Sequence, residues 1–458
     1  MTRQTTKLHP RGTSSTRDMT TGEPLKLIFL YSIPLLLGNI IQQLYSMVDT
    51  IIVGRYLGTD PLAAVGTTGP MNFLVIGFVS GLTAGFAVII AQRFGAKDEE
   101  GLKRSLAMNI LLNGLFAIAI TFVSVVTVKP ILKLINTPES IFSDATTYIT
   151  IIYFGIGGIV LYNGTACVLR AVGDSKSPLY FLIISAVMNI ILDILFIAKF
   201  NMGVAGAAWA TVISQSFAGI SSLFYIIIKF PILRISHKDF SLNIWFAWKH
   251  LRIGLPMAFQ FSITAVGVIV LQGALNIFGA TKIAAYTAAQ KVEQLVAVAA
   301  GTFGVTMANY TGQNLGANRL DRIKEGTWKS CILTIVVSLI SMAIALLFSD
   351  QLTSLFVKKE ETEVLEAARQ YLHTTAIFYP ALFVIFIYRN VLQSLGKGFM
   401  PLMAGVFELL ARSIAAYTLP NLIGYSGICL AGPLAWFAAA IPLFVAYTVI
   451  IKNFKIIV

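Results

Sequence analysis

Residues 71–97 read MNFLVIGFVSGLTAGFAVIIAQRFGAK, and the first 22 of them, Met71 to Gln92, carry no charged side chain. As a helix, a run of that length covers ~33 Å, enough to cross the ~30 Å hydrocarbon core of a bilayer. Comparable apolar stretches recur from Leu25 to Ile451, twelve in all, centred near 40, 78, 115, 158, 188, 216, 264, 300, 337, 380, 411 and 441. A spanning backbone must satisfy its own hydrogen bonds, and the alternation of barrel strands is absent, so an all-α membrane protein of twelve helices is predicted. Composition agrees. The 458 residues are 56% hydrophobic and only 12% charged, about half the charge of a soluble chain. Such a balance excludes a string of soluble domains, and 31 Phe exclude wholesale disorder. Residues 1–24 are polar and basic without the apolar core of a cleavable signal, and are expected to form a disordered cytoplasmic tail. Cys167, Cys331 and Cys429 lie far apart in apolar surroundings, which suits small buried residues better than disulfides or a metal site.

The end of the opening stretch also shows a repeat. Ala91-Gln92-Arg93-Phe94-Gly95-Ala96-Lys97 returns as Gly312-Gln313-Asn314-Leu315-Gly316-Ala317-Asn318. Pro34 matches Pro256, Val168-Leu169 with Gly173 and Pro178 matches Val391-Leu392 with Gly396 and Pro401, and Gly206 with Trp209 echoes Gly432 with Trp436. The spacing stays close to 222, so the chain is two halves of six spans each. An even number of spans gives both halves the same orientation. Two pseudo-symmetric bundles in parallel repeat then face each other across a cavity, as in many secondary transporters. The expected organisation is an N-lobe over 25–229, a cytoplasmic linker over 230–247 and a C-lobe over 248–458.

Charge placement gives the orientation. If side A carries the N-terminus, 23 of the 34 Lys and Arg fall on that side, in connections such as Arg93–Arg104, Lys229–Arg252 and Arg319–Lys329. Eight fall on side B, and Lys291, Arg389 and Arg412 lie within spans. The positive-inside bias places side A and both termini in the cytoplasm of a cell-membrane protein. The net charge of +13 is therefore a topology signal rather than a nucleic-acid footprint.

Ionisable groups at depth are costly and point to function. Asp49 lies five residues before Gly54-Arg55, and Asp193 six before Lys199, so both sit ~8–9 Å inside the outer ends of the first and fifth spans. Asn189 is one turn from Asp193 on the same face, and a hairpin at Asn201-Met202-Gly203 returns Thr211 to the same level. Gln42, Tyr45 and Asp49 share one stripe of the first helix. The ordinary reading is an aspartate at the headgroups and a second, isolated one bonded to Asn189. Two acids at one depth, with amide and hydroxyl neighbours, point instead to a cluster that takes up either a proton or a hard cation such as Na⁺.

These residues make the chain resemble the multidrug and toxic-compound extrusion (MATE) transporters over about 25–452. The resemblance rests on Val48-Asp49-Thr50, Gln92 with Gly95, Gln313-Asn314-Leu315-Gly316, Asn189 with Asp193, and Gly203 through Thr211. It implies that Asp49, Asn189, Asp193 and Thr211 bind the coupling cation, that Gln42 and Tyr45 face the substrate cavity, and that Pro34 is the hinge of the first helix. A mid-helix proline frees a backbone carbonyl and permits such a bend. Gln260 and Lys291 are expected on the cavity wall of the C-lobe. Some sodium-coupled members carry a further acidic pair on spans seven and ten, where this chain has Thr264 and Ile385; coupling should fall on the N-lobe.

Glu408 and Arg412, spaced i, i+4, are expected to form an intramembrane ion pair of mainly structural use. Lys291 and Glu293 face different ways, His373 reads as an ordinary histidine, and Arg389 as an anchor near the cytoplasmic end. No phosphate-binding loop and no metal-ligand motif occurs. The expected function is therefore not an enzyme's. It is antiport of amphiphilic, often cationic, organic compounds against H⁺ or Na⁺, without cofactor, by a monomer in lipid. A lipid-linked oligosaccharide flippase of related architecture is the alternative, and would need a more cationic cavity. A membrane enzyme or receptor would show a convergent catalytic pair, and none is visible.

Overall fold

The computed structural model describes residues 17–240, 243–358 and 360–453, and among these it is helical throughout with no strand. The basic residues Arg3, Lys7, Arg11, Lys359 and Lys455, counted above, lie outside the described residues, as does most of the expected tail. The first six crossings are α1 (Pro24–Leu57), α2 (Thr59–Gly95), α3 (Glu99–Leu134), the bent pair α4 (Glu139–Phe154) and α5 (Ile156–Ala171), α6 (Ser177–Asp193) and α7 (Gly203–Lys229). A π-helical turn, Ile194–Lys199, prolongs α6. The other six are α8 (Ile244–Leu275), α9 (Gly279–Gly316), α10 (Leu320–Leu347), the bent pair α12 (Thr362–Ala376) and α13 (Tyr379–Ser394), α14 (Phe399–Thr418) and α16 (Tyr425–Asn453), with α11 (Ser349–Thr353) and α15 (Pro420–Ile423) as single turns between them. Helix α8 begins at Ile244.

The repeat is written into the turns. Left-handed backbone occurs at Gly58 and Gly279, at Lys97 and Asn318, at Gly173 and Gly396, and at Gly203 and Gly424, pairs separated by 221–223 positions. Glycine suits such φ values because it has no Cβ to clash. Bends recur too: 47° between α4 and α5, and 52° between α12 and α13. The outer face is apolar. Leu115, Ile118 and Phe122 form one stripe of α3 and are 62%, 73% and 69% exposed, as expected where lipid is the solvent.

The lobes meet on side A. A side chain at Gly95 would run into the Gln313 carbonyl, and one at Gly316 into the Gln92 carbonyl. Gly85 meets Gly254 in the same way, so α2 crosses α8 and α9 backbone to backbone. Gln92 Nε2 donates to the Ser394 carbonyl at 2.8 Å. Further out, Asn39 Nδ2 donates to Thr302 Oγ1 at 2.9 Å. Gly316→Val is expected to lower the thermal midpoint, overpacking costing about 1–3 kcal/mol. Gly114→Val, where nothing lies within 4 Å, should not. Equal midpoints for the two variants in a thermal size-exclusion assay would refute the crossing as a tight contact.

The reading of residues 1–24 as disordered needs correction over 17–23. Met19 is fully buried in a core cluster that joins α1 to the C-lobe, its N–H donates to Gln313 Oε1 at 3.0 Å, and Arg17 N–H donates to the Gly173 carbonyl at 3.1 Å. A short apolar residue in a polar tail gave no periodic signal to read. The linker is also structured, as 3₁₀ turns Pro231–Leu233 and His237–Asp239. In the second, the Ser236 N–H donates to Asp239 Oδ2 at 2.6 Å and holds that carboxyl below its usual range.

A candidate ion site in the N-lobe

The first span brings Asp49 to the interior because α1 continues to Leu57 without a break, carrying Gln42, Tyr45 and Asp49 down one stripe. The fifth span ends its regular α geometry at Asp193, where the backbone passes into the π turn. Such turns widen a helix locally and are frequent at functional sites. Asn189 and Asp193 are both fully buried. The hairpin at Asn201, whose φ is positive, returns α7 so that Thr211 stands beside Asn189.

Four predicted residues therefore converge. With its amide turned to satisfy both neighbours, Asn189 donates to Asp193 Oδ2 at 3.0 Å and accepts from the Thr211 N–H at 3.2 Å. The carboxyls of Asp49 and Asp193 face each other within hydrogen-bonding reach. Neither has an ion-pair partner among the described residues. One oxygen of each, Asp49 Oδ1 and Asp193 Oδ1, is buried and meets no protein donor. Buried polar atoms are nearly always satisfied, so the pair has room for one more positive partner. Among the described residues no group of three or more His, Cys, Asp or Glu comes together. The donor set is two carboxylates, an amide and hydroxyls, which suits a proton or a hard monovalent cation.

Two neighbours escaped the sequence reading. Gln215, one turn after Thr211, lies with Thr211 beside the Tyr45 hydroxyl, and i, i+4 spacing from Thr211 was the available signal. Tyr148, buried on α4, stands next to both aspartates; nothing in its local sequence distinguishes it from a core tyrosine.

The remaining residues divide. Gln42 is exposed one turn before Tyr45, and Lys291 is exposed on α9. Pro34 is buried inside α1, where it leaves the Leu30 carbonyl without its helical donor. Gln260, expected on the cavity wall, is instead 7% exposed and committed inside the C-lobe. Its carbonyl accepts from Arg389 Nη1 at 2.8 Å and Nε at 2.9 Å. Arg389 is likewise not an anchor near side A. Its Nη2 lies 2.9 Å from Glu408 Oε2, while Arg412 Nη2 lies 2.7 Å from Oε1 of the same carboxylate. The expected pair is a buried Arg–Glu–Arg triad. The hairpin arithmetic that joined Asp193 to Thr211 would have suggested it, since Arg389 lies eight residues before and Glu408 ten residues after the turn at Lys397–Gly398. His373 Nε2 lies 3.1 Å from the Leu346 carbonyl, to which it can only donate, and 3.2 Å from Ser349 Oγ. Thr264 bonds its own helix, at the Gln260 carbonyl, and Ile385 is buried. Glu293 takes a 3.0 Å bond from the Tyr371 hydroxyl. With the 223-residue offset of this region, Arg412 occupies the C-lobe place of Asn189.

Comparisons with known proteins agree with this architecture. The MatE family model matches twice, over residues 34–195 and 256–418, one match per lobe. The chain is 30% identical over 387 residues to the probable multidrug resistance protein YpnP of Bacillus subtilis (strain 168), covering 83% of this chain and 84% of that one. It is 24% identical over 417 residues to an FAD transporter of Shewanella oneidensis, covering 89% and 91%. A solved outward-facing multidrug resistance MATE transporter of the MOP superfamily superposes with a TM-score of 0.91 at 24% identity, over 97% of this chain and 99% of its own. Two family matches at the spacing of the internal repeat, with a relative at 30% identity over most of both chains, place the protein: it belongs to the MatE family of multidrug efflux transporters.

Proposed function

We propose that the protein is a secondary antiporter that expels amphiphilic, often cationic, organic compounds in exchange for inward H⁺ or Na⁺ bound at Asp49, Asn189, Asp193 and Thr211. The observation that carries the reading is the facing carboxylates of half-buried Asp49 and fully buried Asp193, each with a buried oxygen that meets no protein donor. Two like charges in a low-dielectric site repel strongly, so the pair is complete only with a proton or small cation. When that partner arrives from outside, the repulsion between the carboxylates is relieved and the lobes can rearrange. When it leaves on side A, the repulsion returns. Pro34 supplies the point at which α1 can bend in this cycle. Gln42, Tyr45 and Lys291 face the cargo path, and the apolar side chains around them select for shape rather than for a fixed hydrogen-bond pattern.

The charge bias supports side A, with both termini, as the cytoplasmic face of the cell membrane. The driving force is modest. One proton contributes ~2.3 kcal/mol per 100 mV and ~1.4 kcal/mol per pH unit. Exchange of one proton for one monovalent cation is electroneutral and keeps only the second of these. The flippase alternative needs a more cationic cavity, and of its two candidate cations Arg412 is engaged by Glu408, which leaves Lys291 alone.

The test uses purified protein in proteoliposomes, with the pH gradient and the Na⁺ gradient imposed separately, and ethidium and FAD as cargo. Uphill ethidium movement driven by one gradient and not by the other is expected. Movement of neither compound under either gradient would sink the antiport reading, and FAD movement alone would reassign the cargo.

A further inference from the structure

Residues 17–23 run across the seam that closes side A, and their backbone bonds reach groups of both lobes there. The Arg17 N–H donates to the Gly173 carbonyl of the N-lobe at 3.1 Å. Two residues on, the Met19 N–H donates to Gln313 Oε1 at 3.0 Å, and its carbonyl accepts from Asn314 Nδ2 at 3.0 Å and Arg322 Nη2 at 3.2 Å. Arg322 Nη1 reaches the Gly22 carbonyl at 2.8 Å. The same Gln313 amide donates at 2.9 Å to the Ala171 carbonyl across the lobes. The Met19 side chain is fully buried in a cluster that joins the α1 residues Ile28 and Tyr31 to C-lobe residues including Tyr310 and Ile323. Asp18 fixes the bend, accepting from the Thr20 N–H at 2.8 Å and its hydroxyl at 2.5 Å. A side chain at Gly173 would strike the Arg17 carbonyl, so the strap lies directly on the loop below it.

We infer that this segment is a strap that holds the two lobes together on side A and sets the balance between the closed and the opened arrangement of that side. Its covalent continuation is α1, an N-lobe helix, while most of its backbone bonds are to C-lobe side chains. Parting the lobes on side A must either break the Met19 bonds to Gln313, Asn314 and Arg322 or break the Arg17 bond to Gly173 and draw the segment away from the N-lobe loop. A contact made in one arrangement and lost in the other shifts the population by its full strength. The inference requires only that the lobes part on side A, and is independent of which ion or cargo moves.

Spin labels at Lys176→Cys and Lys324→Cys, both exposed on side A of opposite lobes, with Cys167, Cys331 and Cys429 replaced by Ser, report the lobe separation in lipid nanodiscs by electron–electron resonance. Deletion of residues 2–20 and the point change Met19→Asp are each expected to raise the ratio of separated to closed distances about tenfold. Met19→Leu should leave it within twofold. If the truncated chain fails to fold, Met19→Asp decides, since it keeps the full chain and every spanning residue. Unchanged distances in Met19→Asp overturn the strap, and so does a Met19→Leu shift as large as that of Met19→Asp. Because the readout is distance, a transport failure at the aspartates leaves this test unaffected.

Discussion

Asp193→Asn is expected to abolish uphill transport while leaving the fold intact. With a pH gradient of two units, one coupled proton sustains an accumulation of about a hundredfold; the variant should fall to equal concentrations on both sides. The reasoning is local. Asparagine has nearly the size of aspartate and keeps a carbonyl toward Asn189, but it cannot alternate between charged and neutral forms. Asp193 is fully buried without an ion-pair partner, so its replacement removes an uncompensated charge and should not destabilise the lobe. Downhill exchange of labelled for unlabelled ethidium should persist, because the cargo path is untouched. Asp49→Asn should behave alike. Thr211→Val, which removes one hydroxyl among several oxygens, should cost only a few-fold in ion affinity, in line with one hydrogen bond to a charged group. Proteoliposomes in which Asp193→Asn still drives ethidium uphill would remove the N-lobe pair from the coupling mechanism.

The second large effect lies in the other lobe and concerns stability. Glu408→Gln leaves Arg389 and Arg412 buried against each other with no carboxylate between them. Breaking one member of a buried ion network costs about 3–5 kcal/mol, which should lower the thermal midpoint by roughly 10 °C. Replacing all three together by leucine should recover most of that loss, because an apolar set of similar volume leaves no orphaned charge. The comparison separates two roles. A Glu408→Gln protein with an unchanged midpoint but weakened ethidium binding would move the triad from scaffold to cargo recognition.

Much of this was legible in the sequence. Twelve crossings, the repeat at about 222 residues, and the convergence of Asp49, Asn189, Asp193 and Thr211 follow from apolar length, turn residues and the rise of a helix. Each rests on a periodicity that the chain cannot hide. What could not be read depends on which side chain a neighbour happens to meet. Arg389 reads as an anchor because one basic residue in an apolar run has two cheap solutions, snorkelling or pairing, and only packing chooses between them. Gln260 reads as a cavity residue for the same reason, until Arg389 is found to engage it. Met19 sits in a segment whose composition argues for disorder. One buried methionine and a few backbone bonds, supplied by residues about 300 positions away, are enough to fix it.

The double match of one ancestral unit has a thermodynamic corollary. Where the first copy has an amide beside a vacancy for a mobile charge, the second has a guanidinium welded into the chain at Arg412. A tethered cation cannot be spent and renewed with each turnover. Under the proposed coupling at Asp49 and Asp193, the work available per cycle is capped at what two acids in one copy can ferry, and duplication has doubled the walls of the machine without doubling its engine.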